Sequence, residues 1–315
     1  MQALRYANFG PPSVLRVEEI DEPTLAPGDV LVRVLAASIN PSDVAIVAGR
    51  LGHPTLPSTP GRDLAGVIVA PQARRGEEVW AASGPLATAR PGAHAELAVI
   101  PAVLARPKPS TLSMSEAAAC GLAYLTAAAA LLHVGGLRRG ETVLVTGAAG
   151  SVGSAAVAVA HWQGARVIAL DRRPPQRGDL RLVTDSDWAA ELRTFTAGGG
   201  VDLVLDCVGG PLFEPVLSTL AARGRQVAIA SPGQPRVGFD LVDFYHRQLT
   251  LHGLNTLALA AATCGDLLDR LRPGFESGVL TPPSIARQVS LAQASAAYED
   301  VAAGRASGKV VLRFP

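Results

Sequence analysis

The sequence predicts an α/β fold: a doubly wound parallel sheet joined to a second, mostly β domain. Three observations predict it. From Ser115 onward, Ala-rich helical stretches alternate with short apolar runs at Thr142–Val145, Arg166–Leu170, Leu203–Leu205, Gln226–Ile229 and Thr250–Leu254. Before that point, to about residue 115, the chain is rich in Pro, Gly and β-branched residues, and its apolar runs are separated by turn signals. Between the two patterns of the second half lies Val143-Leu-Val-Thr-Gly147-Ala-Ala-Gly150-Ser-Val-Gly153, a strand that turns on glycine into a helix.

The elements follow in order. Met1-Gln-Ala-Leu-Arg-Tyr-Ala opens directly as a strand and lacks the shape of a signal peptide. Val30–Leu35, Gly66–Val69 and Glu96–Ile100 read as strands of the first domain. Ala117–Leu137 carries no charge and approaches the roughly 20 residues that a membrane span needs. Its Ala and Gly content, with Tyr124, Thr126 and His133, predicts a buried helix instead. After the glycine turn, Ala156, Val159 and Ala160 recur at helical spacing and Gly164 is placed to end the helix. Arg166–Leu170 then completes a βαβ unit, and Arg172–Arg181 reads as an exposed loop. From about Ser284, Gln288-Val-Ser-Leu, a helix over 292–303 and Gly308–Phe314 read as pieces that return to the first domain. The expected domains are therefore 1–115 with 284–315, and 116–283.

Composition bounds the function. With 48% hydrophobic residues but 4% aromatic, the core is built largely from Ala, Val and Leu. A formal net charge of +1 gives no electrostatic case for nucleic acid or an anionic membrane as partner. Cys120, Cys207 and Cys264 are scattered and odd in number, so no disulfide framework is readable and a reducing cytoplasm is expected.

The glycine turn suits a dinucleotide diphosphate. Gly147 supplies the tight turn, Gly150 admits the pyrophosphate to the backbone, and Gly153 lets the new helix pack close to the sheet. Ala149, Ser151 and Val152 complete the turn and the first helical residues, whose N–H groups and dipole face the phosphate charge. Asp171 ends the second strand 24 positions after Gly147, where an acid hydrogen-bonds a ribose 2′-hydroxyl and so favours NADH. Arg172 and Arg173 follow at once and can pair with a 2′-phosphate, which leaves NADPH equally open on the residues alone.

Further segments stand in a fixed order: Ser38-Ile-Asn40-Pro-Ser-Asp43, Pro60-Gly-Arg-Asp63-Leu-Ala-Gly66, Leu125-Thr126-Ala, the glycine turn, Val201-Asp-Leu-Val-Leu-Asp206-Cys-Val-Gly209-Gly210 and Gly308-Lys309-Val-Val-Leu. In these the chain resembles the zinc-independent, quinone oxidoreductase (zeta-crystallin-like) branch of the medium-chain dehydrogenases/reductases. The resemblance implies a Rossmann domain plus a GroES-like catalytic domain, and a cytoplasmic NADPH:quinone oxidoreductase-like enzyme acting on a small quinone or enone. It implies a homodimer joined through Thr250–Leu254. It aligns Asn40, Arg62 and Leu122 with the catalytic zinc ligands of metal-dependent relatives; an amide, a guanidinium and an alkyl group cannot hold zinc, so no metal is expected. Asn40, Ser42 and Tyr124 become the catalytic candidates. Asn40, Thr126, Cys207, Val208, Gly209, Ser231, Pro232, Leu254, Asn255 and Lys309 join the glycine turn and Asp171–Arg173 as cofactor contacts. His53 and His94 read as ordinary surface or cleft residues, and Cys207 as a poor nucleophile for want of a basic neighbour. The branch's tyrosines are replaced by Ala45, Leu51 and His94, which keeps two alternatives in view: a 2-enoyl thioester reductase, and a nucleotide-binding protein without turnover.

Overall fold

The apolar runs of the first third become strands in the computed structural model, which describes residues 1–315. They are β1 (Gln2–Arg5), β2 (Arg16–Glu19), β3 (Asp29–Ile39), β4 (Asp63–Ala70), β5 (Glu78–Ala82), β6 (Leu97–Pro101) and β7 (Arg106–Pro107), with helix α1 (Pro41–Val47) after β3. Helix α2 (Met114–Ala128) leads to β8 (Thr142–Thr146), α3 (Ser151–Trp162), β9 (Arg166–Asp171), β10 (Leu180–Val183), α4 (Trp188–Phe195) and β11 (Val201–Asp206). Then come α5 (Phe213–Ser218), β12 (Leu220–Ala228), α6 (Leu241–His246), β13 (Thr250–Gly253), α7 (Ala261–Glu276), β14 (Ile285–Val289), α8 (Ala294–Ala302) and β15 (Lys309–Arg313).

Two units result, Met1–Leu125 with Thr256–Pro315, and Thr126–Asn255. In the first, strands run in the order β14-β15-β3-β4-β5-β7, with β6 also on β3, and all pairs but β14–β15 are antiparallel. The C-terminal strand thus returns to β3, with Val310 opposite Ile39. In the second unit the order is β10-β9-β8-β11-β12-β13, parallel throughout. This is the doubly wound arrangement, with its reversal of winding between β8 and β11, where ligands bind in such sheets. Leu144, Ile168, Leu170, Leu182 and Val204 fill its core against α4 and α5.

Two expected boundaries move. The second unit ends at Asn255 rather than 283, because α7 packs on the first unit: Phe275 meets Trp80 edge-on at 5.8 Å, and Arg106 pairs with Asp266 and Asp269. It begins at Thr126 rather than 116, because the first turns of α2 lie against β4 and β5, where a Cβ added to Gly121 would stand 3.1 Å from the Cβ of Asp63 and 3.4 Å from that of Ala82. The expected loop Arg172–Arg181 also stops early, since Leu180–Val183 pairs with Ile168–Asp171 as an edge strand with only Leu182 fully buried. The uncharged helix is long and apolar enough to cross a membrane by composition, but 89% of its apolar window is buried inside the fold.

Candidate active site and cofactor-binding turn

The glycine turn has the backbone its residues require. Gly147 sits at φ +61°, in the left-handed region, and its N-terminal neighbours finish β8. Gly153 lies in the first turn of α3, where an added Cβ would stand 2.1 Å from the Gly147 carbonyl oxygen; only hydrogen fits. Gly150 caps α3 without a side chain, and Ala149, Gly150 and Ser151 are exposed, which leaves the helix start open to a phosphate. Across the reversal point, Asp206 ends β11 as a buried carboxylate. Its Oδ1 accepts from the Thr146 hydroxyl (2.8 Å) and from the Val208 and Gly209 amides (3.1 and 2.9 Å), while Thr146 Oγ1 accepts from the Cys207 amide. The Cys207–Gly209 loop is therefore tied to the end of β8. Burial, then the charge of Asp206, raises the Cys207 thiol far above its ordinary range, so it is no thiolate nucleophile. Ser231 accepts from the Gly210 amide and donates to the Gln234 carbonyl; Pro232 beside it is exposed. Leu254 and Asn255 follow β13 directly.

Asp171 is fixed at this turn. Its Oδ2 accepts from the Ala149 amide at 3.0 Å and its Oδ1 from the Arg173 amide at 3.2 Å. The side chains of Arg172 and Arg173 are exposed.

The first unit contains a buried polar cluster at the junction of β3, α1, β4 and β15. Asn40 is 4% exposed; its Nδ2 donates to Asp63 (2.9 Å) and Asp43 (3.0 Å), and its Oδ1 accepts from the Lys309 ammonium. Asp43 Oδ2 also accepts the Asn40 amide, closing the start of α1 behind Pro41, while Asp63 accepts the Ser38 amide and hydroxyl. Burial raises the Asp43 carboxyl and lowers the Lys309 ammonium, the latter opposed by Asp63 and Asp43. Two buried anions, Asp43 and Asp63, are thus offset by two buried cations, Arg62 and Lys309. Arg62 is held by three hydroxyls: Nη1 donates to Ser42 at 3.2 Å, and Nη2 to Ser83 at 2.7 Å and Thr256 at 3.1 Å.

Several expectations are corrected here. His94 is neither a surface nor a cleft residue: it is fully buried, with Nε2 donating to the Ser38 carbonyl (3.1 Å) and Nδ1 accepting from the Tyr298 hydroxyl (2.8 Å). A carbonyl only accepts, so the partners assign the Nε2–H tautomer. Tyr124 is withdrawn as a proton donor, because its buried hydroxyl donates to the Thr281 carbonyl at 2.6 Å and its ring packs on Phe275 at 4.8 Å. Ser42, half-buried, keeps its own proton uncommitted while accepting from Arg62. Lys309, expected as a cofactor contact, is buried with its ammonium donating to Asn40 Oδ1. Thr126 lies buried in α2 and His53 is exposed.

Comparison with known proteins agrees with this geometry. Residues 26–110 match the alcohol dehydrogenase GroES-like domain and residues 151–271 the zinc-binding dehydrogenase domain. A zinc-type alcohol dehydrogenase-like protein from Schizosaccharomyces pombe is 34% identical over 285 residues, 88% of this chain and 86% of that one. The quinone oxidoreductase of Homo sapiens is 28% identical over 328 residues, covering 99% and 97%. A mycobacterial quinone oxidoreductase structure superposes over all of both chains with a TM-score of 0.87 at 26% identity. The chain is a medium-chain dehydrogenase/reductase of the quinone oxidoreductase branch.

In this oxidoreductase the three positions aligned with zinc ligands do not fit the metal. Leu122 offers no donor, the Asn40 amide is spent on Asp43, Asp63 and Lys309, and Arg62 carries a positive charge. A dinucleotide, by contrast, fits the open start of α3. The residues that sequence reasoning missed are those that support others: Asp206 and Thr146 behind the Cys207 loop, and Ser83, Thr256, His94 and Tyr298 around the polar cluster. Ser83 and Thr256 are 173 positions apart, and no local pattern joins them.

Proposed function

We propose that this oxidoreductase reduces quinones or α,β-unsaturated carbonyl compounds with a nicotinamide cofactor and no catalytic zinc. The observation that carries this reading is the pairing of a dinucleotide turn with an Asn40/Arg62/Leu122 set that cannot hold zinc. When bound, the nicotinamide supplies hydride to an acceptor already activated by conjugation. The chain's part is to hold the diphosphate at Gly147–Gly153 and to present a fixed polar wall around Asn40 and Ser42. Cofactor oxidation with 9,10-phenanthrenequinone and with an alkenal tests the proposal. Turnover that survives chelator dialysis is expected; zinc-stimulated oxidation of a simple alcohol, with no quinone or alkenal turnover, would overturn it.

Between the two cofactors, the fixed Asp171 carboxylate supports NADH. A 2′-phosphate would meet its charge beside the turn, whereas a 2′-hydroxyl can donate to it. This reverses the expectation of NADPH drawn from the resemblance. Solved neighbours include both an NAD-dependent alcohol dehydrogenase and a mycobacterial relative complexed with NADPH.

A second reading is reduction of an enoyl thioester; a polyketide synthase system protein from Streptomyces orinoci is 30% identical over 305 residues, 92% of this chain and 13% of that one. An enoyl-coenzyme A substrate in the same panel separates the two. We also propose a homodimer built on β13: that strand is the open edge of its sheet, and α6, which leads into it, exposes Leu241, Val242 and Tyr245. The three free cysteines support a cytoplasmic location.

A further inference from the structure

Arg62 is 3% exposed, yet it makes no ion pair with a carboxylate. That is unusual for a buried guanidinium, whose desolvation is ordinarily offset by a charge-assisted pair. Asp43 and Asp63 share its cluster, but their hydrogen bonds go to Asn40 and Ser38. The hydrogen bonds of Arg62 itself go to neutral hydroxyls, Ser42, Ser83 and Thr256, while the charges of Asp43 and Asp63 act on it through space. A guanidinium has five N–H donors. Three of Arg62's are used, and its Nε is buried without a partner.

The support around it is built at a cost. Ser83 is not glycine, but it sits at φ +62°. In that left-handed conformation its amide donates to the Arg62 carbonyl (2.7 Å), its hydroxyl accepts from Nη2 (2.7 Å) and donates to the Thr256 carbonyl (2.7 Å). Backbone and side chain of Arg62 are thus gripped by one strained residue. A cation held rigidly by neutral groups, with donors left over, is preorganised for an oxygen that gains negative charge.

Resting on the reductase reading above, we propose that Arg62 is the electrophile for the acceptor: its second Nη1 N–H, which has no partner in the fold, binds the acceptor's carbonyl oxygen. A reduced nicotinamide, when bound, would supply the hydride that adds to the β-carbon of the conjugated system. The C=C electron pair becomes the new C–C double bond of an enolate, and the carbonyl pair moves to oxygen, beside the guanidinium. A proton from water on the α-carbon then restores the carbonyl and leaves the saturated product. Arg62 keeps its protons throughout, so it stabilises charge and is not an acid. For a quinone the same oxygen becomes that of the hydroquinone monoanion.

Two measurements test this, one with turnover and one without. In R62Q, kcat with a neutral alkenal is expected to fall about 100-fold, the usual loss on removing an oxyanion donor, with NADH affinity by fluorescence unchanged. R62K, which keeps charge but not the fork, should fall between, and S83A should lose less than R62Q because the cation remains. Without cofactor, p-nitrophenol bound to the wild-type protein should ionise at a lower pH than in bulk, and this shift should vanish in R62Q. Should R62Q fail to fold, R62K and S83A carry both tests. A kcat within threefold of wild type in R62Q, or in both other variants, overturns the proposal, as does a phenol titration unshifted in the wild type. If the wild type turns over no acceptor, the reductase reading fails on its own, while the phenol shift still reports on Arg62.

Discussion

Asp171 binds two backbone amides through its carboxylate and so cannot swing away from the start of α3. A charge-assisted hydrogen bond to a ribose hydroxyl is worth about 1.5 kcal/mol or more, so D171A should lower the NADH-over-NADPH preference by about tenfold. Parallel titrations of both cofactors by tryptophan fluorescence check this; an unchanged ratio would return the choice to Arg172 and Arg173. Lys309 makes the second residue-scale prediction. Its ammonium is the partner of Asn40 Oδ1 inside a cluster holding two carboxylates. An apolar replacement such as Lys309→Met leaves that negative charge uncompensated, and a loss of about 3–5 kcal/mol in urea unfolding is expected. Asp171 was legible from its place at the end of the second strand, whereas Lys309 was visible only as a family position. The role of Lys309 was not, because a hydrogen-bond partner 269 positions away, as Asn40 is from Lys309, has no local signature.

At the scale of elements, α3 docks on the end of β8 only because Gly153 has no side chain. Gly153→Ala would push a methyl group into the Gly147 carbonyl, costing about 1–3 kcal/mol of stability and displacing the amides that face the diphosphate. Thermal unfolding and NADH affinity should therefore fall together; intact affinity would show that the turn tolerates the shift. The glycine turn was legible in advance because each of its three glycines answers a local demand. The Asp206–Thr146 tie between β8 and β11 was not, since it depends on which strands become neighbours. Strand β10 escaped for another reason: an edge strand with one buried leucine has no apolar run to detect.

Over the whole molecule, the buried His94 predicts the direction of acid sensitivity. Burial lowers its pKa in the fold, where it is neutral between Ser38 and Tyr298; Asp43 and Asp63 oppose that shift without reversing it. The unfolded chain therefore binds the proton first as pH falls below about 6.5. Stability contributed by the neutral imidazole is fully present above that pH and is lost as pH falls toward the folded value. Asp43, whose carboxyl is raised by burial, works in the opposite sense, so the comparison must be with a variant. The midpoint of thermal unfolding should drop between pH 7 and 5.5 in the wild type and drop less steeply in His94→Gln. Equal slopes would refute the assignment.

Sequence by itself determined most of the elements, the glycine turn of the βαβ unit and the residue types at Asn40, Arg62 and Leu122, because each rests on a residue's own chemistry or on spacing within a single turn. Tertiary structure alone decided where the units divide, that His94 and Tyr124 are core residues, and that Asp171 is locked at the turn. It also decided that Arg62 lies buried among hydroxyls from α1, the end of β5 and the segment before α7. Burial and partnership are set by contacts between distant segments, and the free energy of a charge depends on those contacts far more than on its neighbours in the chain.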